Sequence, residues 1–140
     1  AVANGVSYWL YPLRFGWARL RQRCGNHAKR VPGMVSVIIP CYNYAHFLPQ
    51  AVSSVCAQTY DLWEIIIVDD GSFDDTSTVA RGLAGALPGK LTALRQPNSG
   101  PAMARNSGVR IARGQYIVHL DADDMLAPTM LERCVEALEI

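Results

Sequence analysis

Tyr116-Ile-Val-His-Leu-Asp121-Ala-Asp123-Asp124 is an apolar run that ends abruptly in three carboxylates. Gly114 stands just before it, and Tyr116–Leu120 is too short for a typical helix, so the run reads as a buried strand. Carboxylates at the end of a buried strand are costly unless something neutralises them. A divalent cation does so, and hard oxygen ligands suit Mg²⁺ or Mn²⁺. Mg²⁺ usually takes one or two protein carboxylates and completes its shell with substrate phosphates. The Asp-x-Asp spacing therefore points to a metal–diphosphate site, against the plainer reading of an acidic turn after a strand.

Two other runs carry the same logic. Glu64-Ile-Ile-Ile-Val-Asp69-Asp70-Gly71-Ser72 closes on paired acids and a glycine, and Val35-Ser-Val-Ile-Ile-Pro40-Cys-Tyr42-Asn43 closes on proline and polar residues. Each is followed by helical patterning. Ala45–Ala57 has its apolar face on Phe47, Leu48, Ala51, Val52 and Val55, with Pro49 in the first turn, where proline is tolerated. Asp74 or Asp75 is expected to cap a helix to about Leu87, ended by Pro88-Gly89. Leu91–Leu94 reads as a short strand, Ser99 as the cap of a helix to about Ala112, and Pro128 as the opening of a last helix to about Glu139. The alternation predicts an α/β fold, a Rossmann-like, mostly parallel sheet with helices on both faces. Ligands of such open sheets bind beyond the carboxyl ends of the strands, and the unusual polar residues all fall there.

These stretches resemble family 2 glycosyltransferases of the GT-A fold. The resemblance runs through Val35-Ser-Val-Ile-Ile-Pro-Cys-Tyr-Asn43, Val55-Cys-Ala-Gln58-Thr59-Tyr60, Ile67-Val-Asp-Asp-Gly-Ser72, Asp75-Thr76, Asn98-Ser-Gly100, Ala104-Arg-Asn-Ser-Gly108, Gly114-Gln-Tyr-Ile117 and Leu120-Asp-Ala-Asp-Asp124. The blocks keep the family's order and spacing over residues 34–140 and cover its donor-binding part, with the sheet incomplete after the Asp-x-Asp strand. The resemblance implies transfer of a sugar from a nucleotide-diphosphate donor, here a UDP-sugar, to a hydroxyl of a glycan, lipid or protein acceptor. It further implies inversion, assistance by Mn²⁺ or Mg²⁺, and a role in cell-wall or polysaccharide synthesis. The family's general base lies in its acceptor half, so it is expected beyond Ile140. A non-catalytic nucleotide-sugar-binding module or an inactive fragment is the alternative.

The same resemblance assigns roles by position. Asp70, rather than Asp69, is the acid that meets the nucleobase, where a solvated turn or helix cap is the competing view. Asp123 matches the direct metal ligand, and Asp121 the acid that reaches the ribose or a metal-bound water. Asp124 is left as a cap of the following segment. Pro40 and Tyr42 are expected to line the base pocket, since an aromatic beside a base offers stacking; ordinary core is the alternative for Tyr42. Arg105 follows the Asn98-Ser99-Gly100 turn and is suited to diphosphate, or is a solvated helix charge. Asn43 reads as structural. His27, His46 and His119 show no partner pattern.

Composition bounds the rest. A chain of 140 residues that is 50% hydrophobic buries one core. The four cysteines, Cys24, Cys41, Cys56 and Cys134, lack zinc or CxxC spacing and fit a reducing compartment. No apolar run reaches transmembrane length and no signal peptide is evident. Formal net charge is only +1, yet residues 1–33 carry six basic residues and no acid. That segment, with Val6, Trp9, Leu10, Leu13, Trp17 and Leu20 at roughly helical spacing, reads as a basic aromatic helix broken near Pro12. It is followed by a linker from Arg21 to Gly33. A helix of this kind suits peripheral contact with an anionic membrane, which places the protein in the cytoplasm or on the cytoplasmic face of a membrane. Packing on the domain is the alternative. Nothing in the chain suggests a nucleic-acid partner. A Rossmann dehydrogenase would need G-x-G-x-x-G after a strand, and none occurs.

Overall fold

The computed structural model describes residues 10–12 and 30–139. Its elements follow the chain as β1 Leu10–Pro12, β2 Val31–Cys41, α1 Leu48–Cys56, β3 Trp63–Asp69, α2 Thr76–Ala86, β4 Leu91–Arg95, α3 Pro101–Ile111, β5 Gly114–His119 and α4 Met130–Leu138. The sheet order is β1-β5-β2-β3-β4. The β5/β2, β2/β3 and β3/β4 pairs are parallel, and only β1 runs antiparallel, against β5. The expected α/β sheet is thus present. Its three marked strands are neighbours with aligned carboxyl ends, because Cys41 pairs with Asp69 while Ile38 pairs with His119.

Both faces are covered, which is why the central strands are apolar throughout rather than alternating. One face seats Val35, Val37, Ile39, Ile65, Ile67, Tyr116 and Val118 against Leu48, Val52 and Val55 of α1, Ala80 of α2, and Leu131 and Val135 of α4. The other seats Ile38, Ile66, Val68 and Ile117 against Ala104 of α3. Gly108 lets α3 approach closely, since a Cβ there would lie 2.5 Å from Ile38 Cγ2.

The N-terminal reading needs correction where it can be compared. Leu10–Pro12 is an edge strand, in register with Val118, Ile117 and Tyr116, and not a turn of helix. Proline cannot continue a helix but is tolerated on a sheet edge. The rest of the basic aromatic segment, including Arg14, Trp17 and Arg19, lies outside the described residues. The linker reading also ran too far. β2 begins at Val31, with its register on β5 shifting between Val31 and Val35. Pro32-Gly33 falls at this irregularity, inside the strand. Gly33 adopts φ +74, its N–H donates to Gln115 Oε1 at 2.8 Å, and its carbonyl accepts from the Tyr60 hydroxyl at 2.7 Å.

Helix starts differ by a few residues; of the two expected caps, Asp74 serves its helix and Ser99 does not. Asp74 accepts from the Thr76 N–H at 3.0 Å and so serves the start of α2. Ser99 does not cap α3; its hydroxyl donates to the Pro97 carbonyl at 2.8 Å.

One buried acid inside the sheet had no sequence reading. Glu64 is 3% exposed. Its Oε1 accepts from the Ser36 hydroxyl and the Arg113 N–H, both at 2.6 Å, and its Oε2 from Arg113 Nε at 2.7 Å. Burial alone would raise its carboxyl, but the Ser36 hydroxyl and the Arg113 amide and guanidinium outweigh it and hold it below the ordinary 4.5. The unfolded chain therefore binds the proton first. The stabilisation is complete above the ordinary value and is lost as pH falls through the depressed folded value. Glu64→Gln is expected to cost about 2 kcal/mol at neutral pH. Urea titration against pH checks this: the gap between parent and variant should close on the acid side, and a constant gap would contradict it.

Candidate donor-binding site

The carboxyl ends of β2, β3 and β5 open into one cavity of about 540 Å³. β2 supplies Pro40, Cys41 and, just beyond it, Tyr42; the β3 end supplies Asp70; the β5 end supplies Asp121 and Asp123. The turn before α3 adds Asn98 and Gly100, and α3 itself adds Ala104 and Arg105. A second cavity of about 620 Å³ lies at the amino ends of β2 and β5, lined by Arg30, Gln115 and Glu139 among others. The Arg30 guanidinium there is already committed to the carbonyls of Ala112 and Gly114. The residues singled out by spacing gather instead at the carboxyl end.

Asp69 and Asp70 are adjacent, both buried, and do different work. Asp69 points into the fold: Oδ1 accepts from the Ser72 N–H at 2.9 Å and Oδ2 pairs with Arg95 at 3.1 Å. It holds the turn and does not line the cavity. Asp70 lines the cavity, and its carboxylate is largely occupied. Oδ1 accepts from Gln96 Nε2 at 2.7 Å and the Ser99 N–H at 2.9 Å, and Oδ2 from the Gly100 N–H at 2.8 Å. Ser99 and Gly100 stand at the N-terminus of α3, so Asp70 caps that helix from across the sheet, favourably placed toward its dipole. A carboxylate has about four acceptor positions, so Asp70 retains one for a ligand N–H. Gly71 permits this meeting of loops. It has φ +75, and a Cβ on it would lie 2.7 Å from the Asn98 nitrogen.

Tyr42 is half-exposed beside Asp70 in the cavity wall, and its ring meets Phe73 edge-on at 6.4 Å between centroids. Asn43 is the one non-glycine with positive φ among the described residues. Its N–H donates to Ser72 Oγ at 2.9 Å and its Oδ1 accepts from the Phe73 N–H at 2.8 Å. Asn43 thus zips the β2 and β3 loops together, as its structural reading expected.

At the other end, Arg105 of α3 pairs with Asp121 at 2.8 Å, with both side chains partly exposed. Asp123 is exposed at the cavity wall without a side-chain partner among the described residues. The Asp124 N–H donates to the Asp121 carbonyl at 3.0 Å, closing a tight turn that bunches the three acids. Burial first, and then the charges of Asp123 and Asp121, push the Asp124 carboxyl up. His119 stands behind them on β5. Its Nδ1 is buried without a partner among the described residues, and burial, followed by the Arg105 charge, lowers its pKa against the opposing pull of Asp121.

The structure therefore brings Pro40, Tyr42, Asp70, Arg105, Asp121 and Asp123 to one cavity and sets Asp69 beneath it. Asn98 and Tyr44 also line the cavity, and the sequence reading gave neither a role there. Asn98 belonged to a quoted turn after a strand, and that position was its only signal.

Residues 36–140 match the family model described as glycosyl transferase family 2. The hyaluronan synthase of Pasteurella multocida is 40% identical over 111 residues, 79% of this chain and 11% of that protein. Among solved structures, S. aureus TarS 1–349 in complex with UDP superposes with a TM-score of 0.69 at 26% identity, over 76% of this chain and 32% of that one. The mannosyltransferase PcManGT from Pyrobaculum calidifontis, in complex with GDP-Man and Mn²⁺, gives 0.66 at 27% identity, over 86% of this chain and 36% of that one. The chain spans about a third or less of the length of these curated relatives.

Proposed function

The chain belongs to glycosyl transferase family 2, and on that premise we propose that its cavity binds a UDP-sugar with a divalent cation for inverting transfer to an acceptor hydroxyl. The observation that carries this reading is the single cavity joining Tyr42 and Asp70 at one end to Arg105, Asp121 and Asp123 at the other. The first end suits a flat base: Tyr42 offers a face to stack on, and the remaining acceptor position of Asp70 suits an imide N–H such as uracil N3. The second end suits a diphosphate, with one guanidinium and a bunch of carboxylates that need a cation between them and the phosphates.

Among the described residues no cluster of three or more His, Cys, Asp and Glu is placed to hold a metal alone. The two carboxylates Asp121 and Asp123 at the cavity wall suit Mn²⁺ or Mg²⁺, which takes one or two protein carboxylates and fills its shell with phosphate oxygens and water. Asp123, without a side-chain partner among the described residues, would be the direct ligand. Asp121, drawn toward Arg105, would reach the ribose or a bound water. The cation, when bound, supplies Lewis-acid stabilisation of the negative charge that develops on the leaving diphosphate. Arg105 supports the same charge from α3, and Asp70 and Tyr42 fix the register of the donor by holding its base.

Calorimetry with UDP and ADP, each with and without Mn²⁺, tests this. UDP should bind more tightly than ADP, and Mn²⁺ should strengthen both. Equal ranking of the two nucleotides would remove the base assignment, and indifference to Mn²⁺ would remove the metal. A polysaccharide acceptor is the companion proposal, supported by the hyaluronan synthase relative.

A further inference from the structure

We propose that Gln58 is the positioning residue of the acidic turn Asp121–Asp124: it pins the chain that leaves the turn and so holds Asp121 and Asp123 for the donor diphosphate. The proposal rests on the reading of that turn as the diphosphate end of the site. Upstream, the turn is anchored by β5, whose ladder continues through the Leu120 N–H to the Ile38 carbonyl at 3.0 Å. Downstream there is no strand. Residues 125–129 form no helix or strand, and α4 begins only at Met130.

What holds this stretch is the end of α1. Gln58 is 6% exposed. Its Nε2 donates to the Ala127 carbonyl at 2.7 Å and the Ser54 carbonyl at 3.1 Å, and its Oε1 accepts from the Leu131 N–H at 3.0 Å. The Ser54 hydroxyl accepts from the Leu126 N–H at 3.0 Å, and the Thr59 N–H donates to the Pro128 carbonyl at 2.9 Å. The Thr129 side chain makes no cap bond at α4, so Gln58 takes the place of a local cap by receiving a first-turn N–H. Leu126 and Leu131 are buried on the same side. The amide therefore bridges three segments with both donors used, and no apolar side chain of similar volume satisfies the Ala127 carbonyl or the Leu131 N–H. Groups that orient ligating carboxylates typically change metal affinity when removed. Gln58 stands in that relation to Asp121 and Asp123 through the backbone rather than through direct contact.

The test uses Gln58→Leu and Ser54→Ala in this chain. Ser54→Ala removes the Leu126 tie together with the bond from the Ser54 hydroxyl to the Ala51 carbonyl within α1, leaves the Gln58 amide in place, and serves if the first variant does not fold. Three readouts separate positioning from general loosening. Affinity for UDP with Mn²⁺ should fall about tenfold in Gln58→Leu and less in Ser54→Ala. Affinity for uridine, which lacks the diphosphate, should stay as in the parent. Amide exchange at Asp124 should speed up, while amides of β2 and β3 remain protected. Equal losses for uridine and UDP would overturn the proposal by showing a global effect, and unchanged Asp124 exchange would overturn it directly. If the parent itself shows no Mn²⁺-dependent UDP binding, the diphosphate reading and the donor role of Gln58 fall together. In that case the exchange data alone decide whether Gln58 holds the turn.

Discussion

Asp123→Ala abolishes Mn²⁺-dependent binding of UDP, with an expected loss on the order of 100-fold or more, since even partners that only orient metal ligands are worth about 10–100-fold. Asp123 is the exposed, unpartnered acid of the turn among the described residues. Among the described residues no cluster of three or more ligating side chains stands ready to replace it. Asp124→Ala should cost far less, because the turn uses the Asp124 N–H, which alanine keeps. The fold should be indifferent to both changes. Titration calorimetry of the two variants with UDP, with and without Mn²⁺, distinguishes ligation from general acidity. Equal losses in the two variants would show that the turn acts only as a patch of negative charge.

Asp70→Ala is expected to damage both the fold and the site. It leaves the Ser99 and Gly100 N–H groups and Gln96 Nε2 without their acceptor. Removing hydrogen bonds to a buried charge costs about 1.5–3 kcal/mol each before relaxation, so a net loss of about 3 kcal/mol is the expected scale. Asp70→Asn is the sharper probe. Its carbonyl can keep the Gln96 and Ser99 donors, but its amide then faces the Gly100 N–H and the incoming base with hydrogens rather than lone pairs. The expected result is a modest fall in melting temperature together with near loss of the preference for UDP over ADP. Thermal melts read the first and competition binding the second. An Asn variant that keeps the preference while losing stability would make Asp70 a helix cap only.

That dual role shows what the chain's own letters could and could not say. Spacing placed Asp70 at a strand end and left two readings, base contact or helix cap. The cap proves to be real, but for a helix some 30 residues further along, an outcome that no local pattern encodes. The expected local cap, Ser99, turns its hydroxyl away to Pro97. Likewise Glu64 carried no reading from its place at the head of an apolar run, and only the parallel register that sets Ser36 beside it and brings Arg113 within reach explains a buried acid there.

Composition and order of the apolar runs determined the α/β class, the parallel core and the end of the sheet where chemistry collects. Continuous apolar strands require cover on both faces, and parallel strands point their carboxyl ends the same way. The acids Asp70, Asp121 and Asp123 were legible because charge at the end of such a strand is expensive and therefore informative. Tertiary structure alone decided what Asp69 does beneath the cavity, where its carboxylate is taken by the Ser72 N–H and Arg95. It also decided that Leu10–Pro12 serves as an edge strand, and that Ser54 of α1 and Gln58 just beyond that helix hold the chain beyond the acidic turn. These depend on contacts between residues tens of positions apart. Their hydrogen-bond partners are mostly backbone groups, which carry no side-chain identity for a sequence to display.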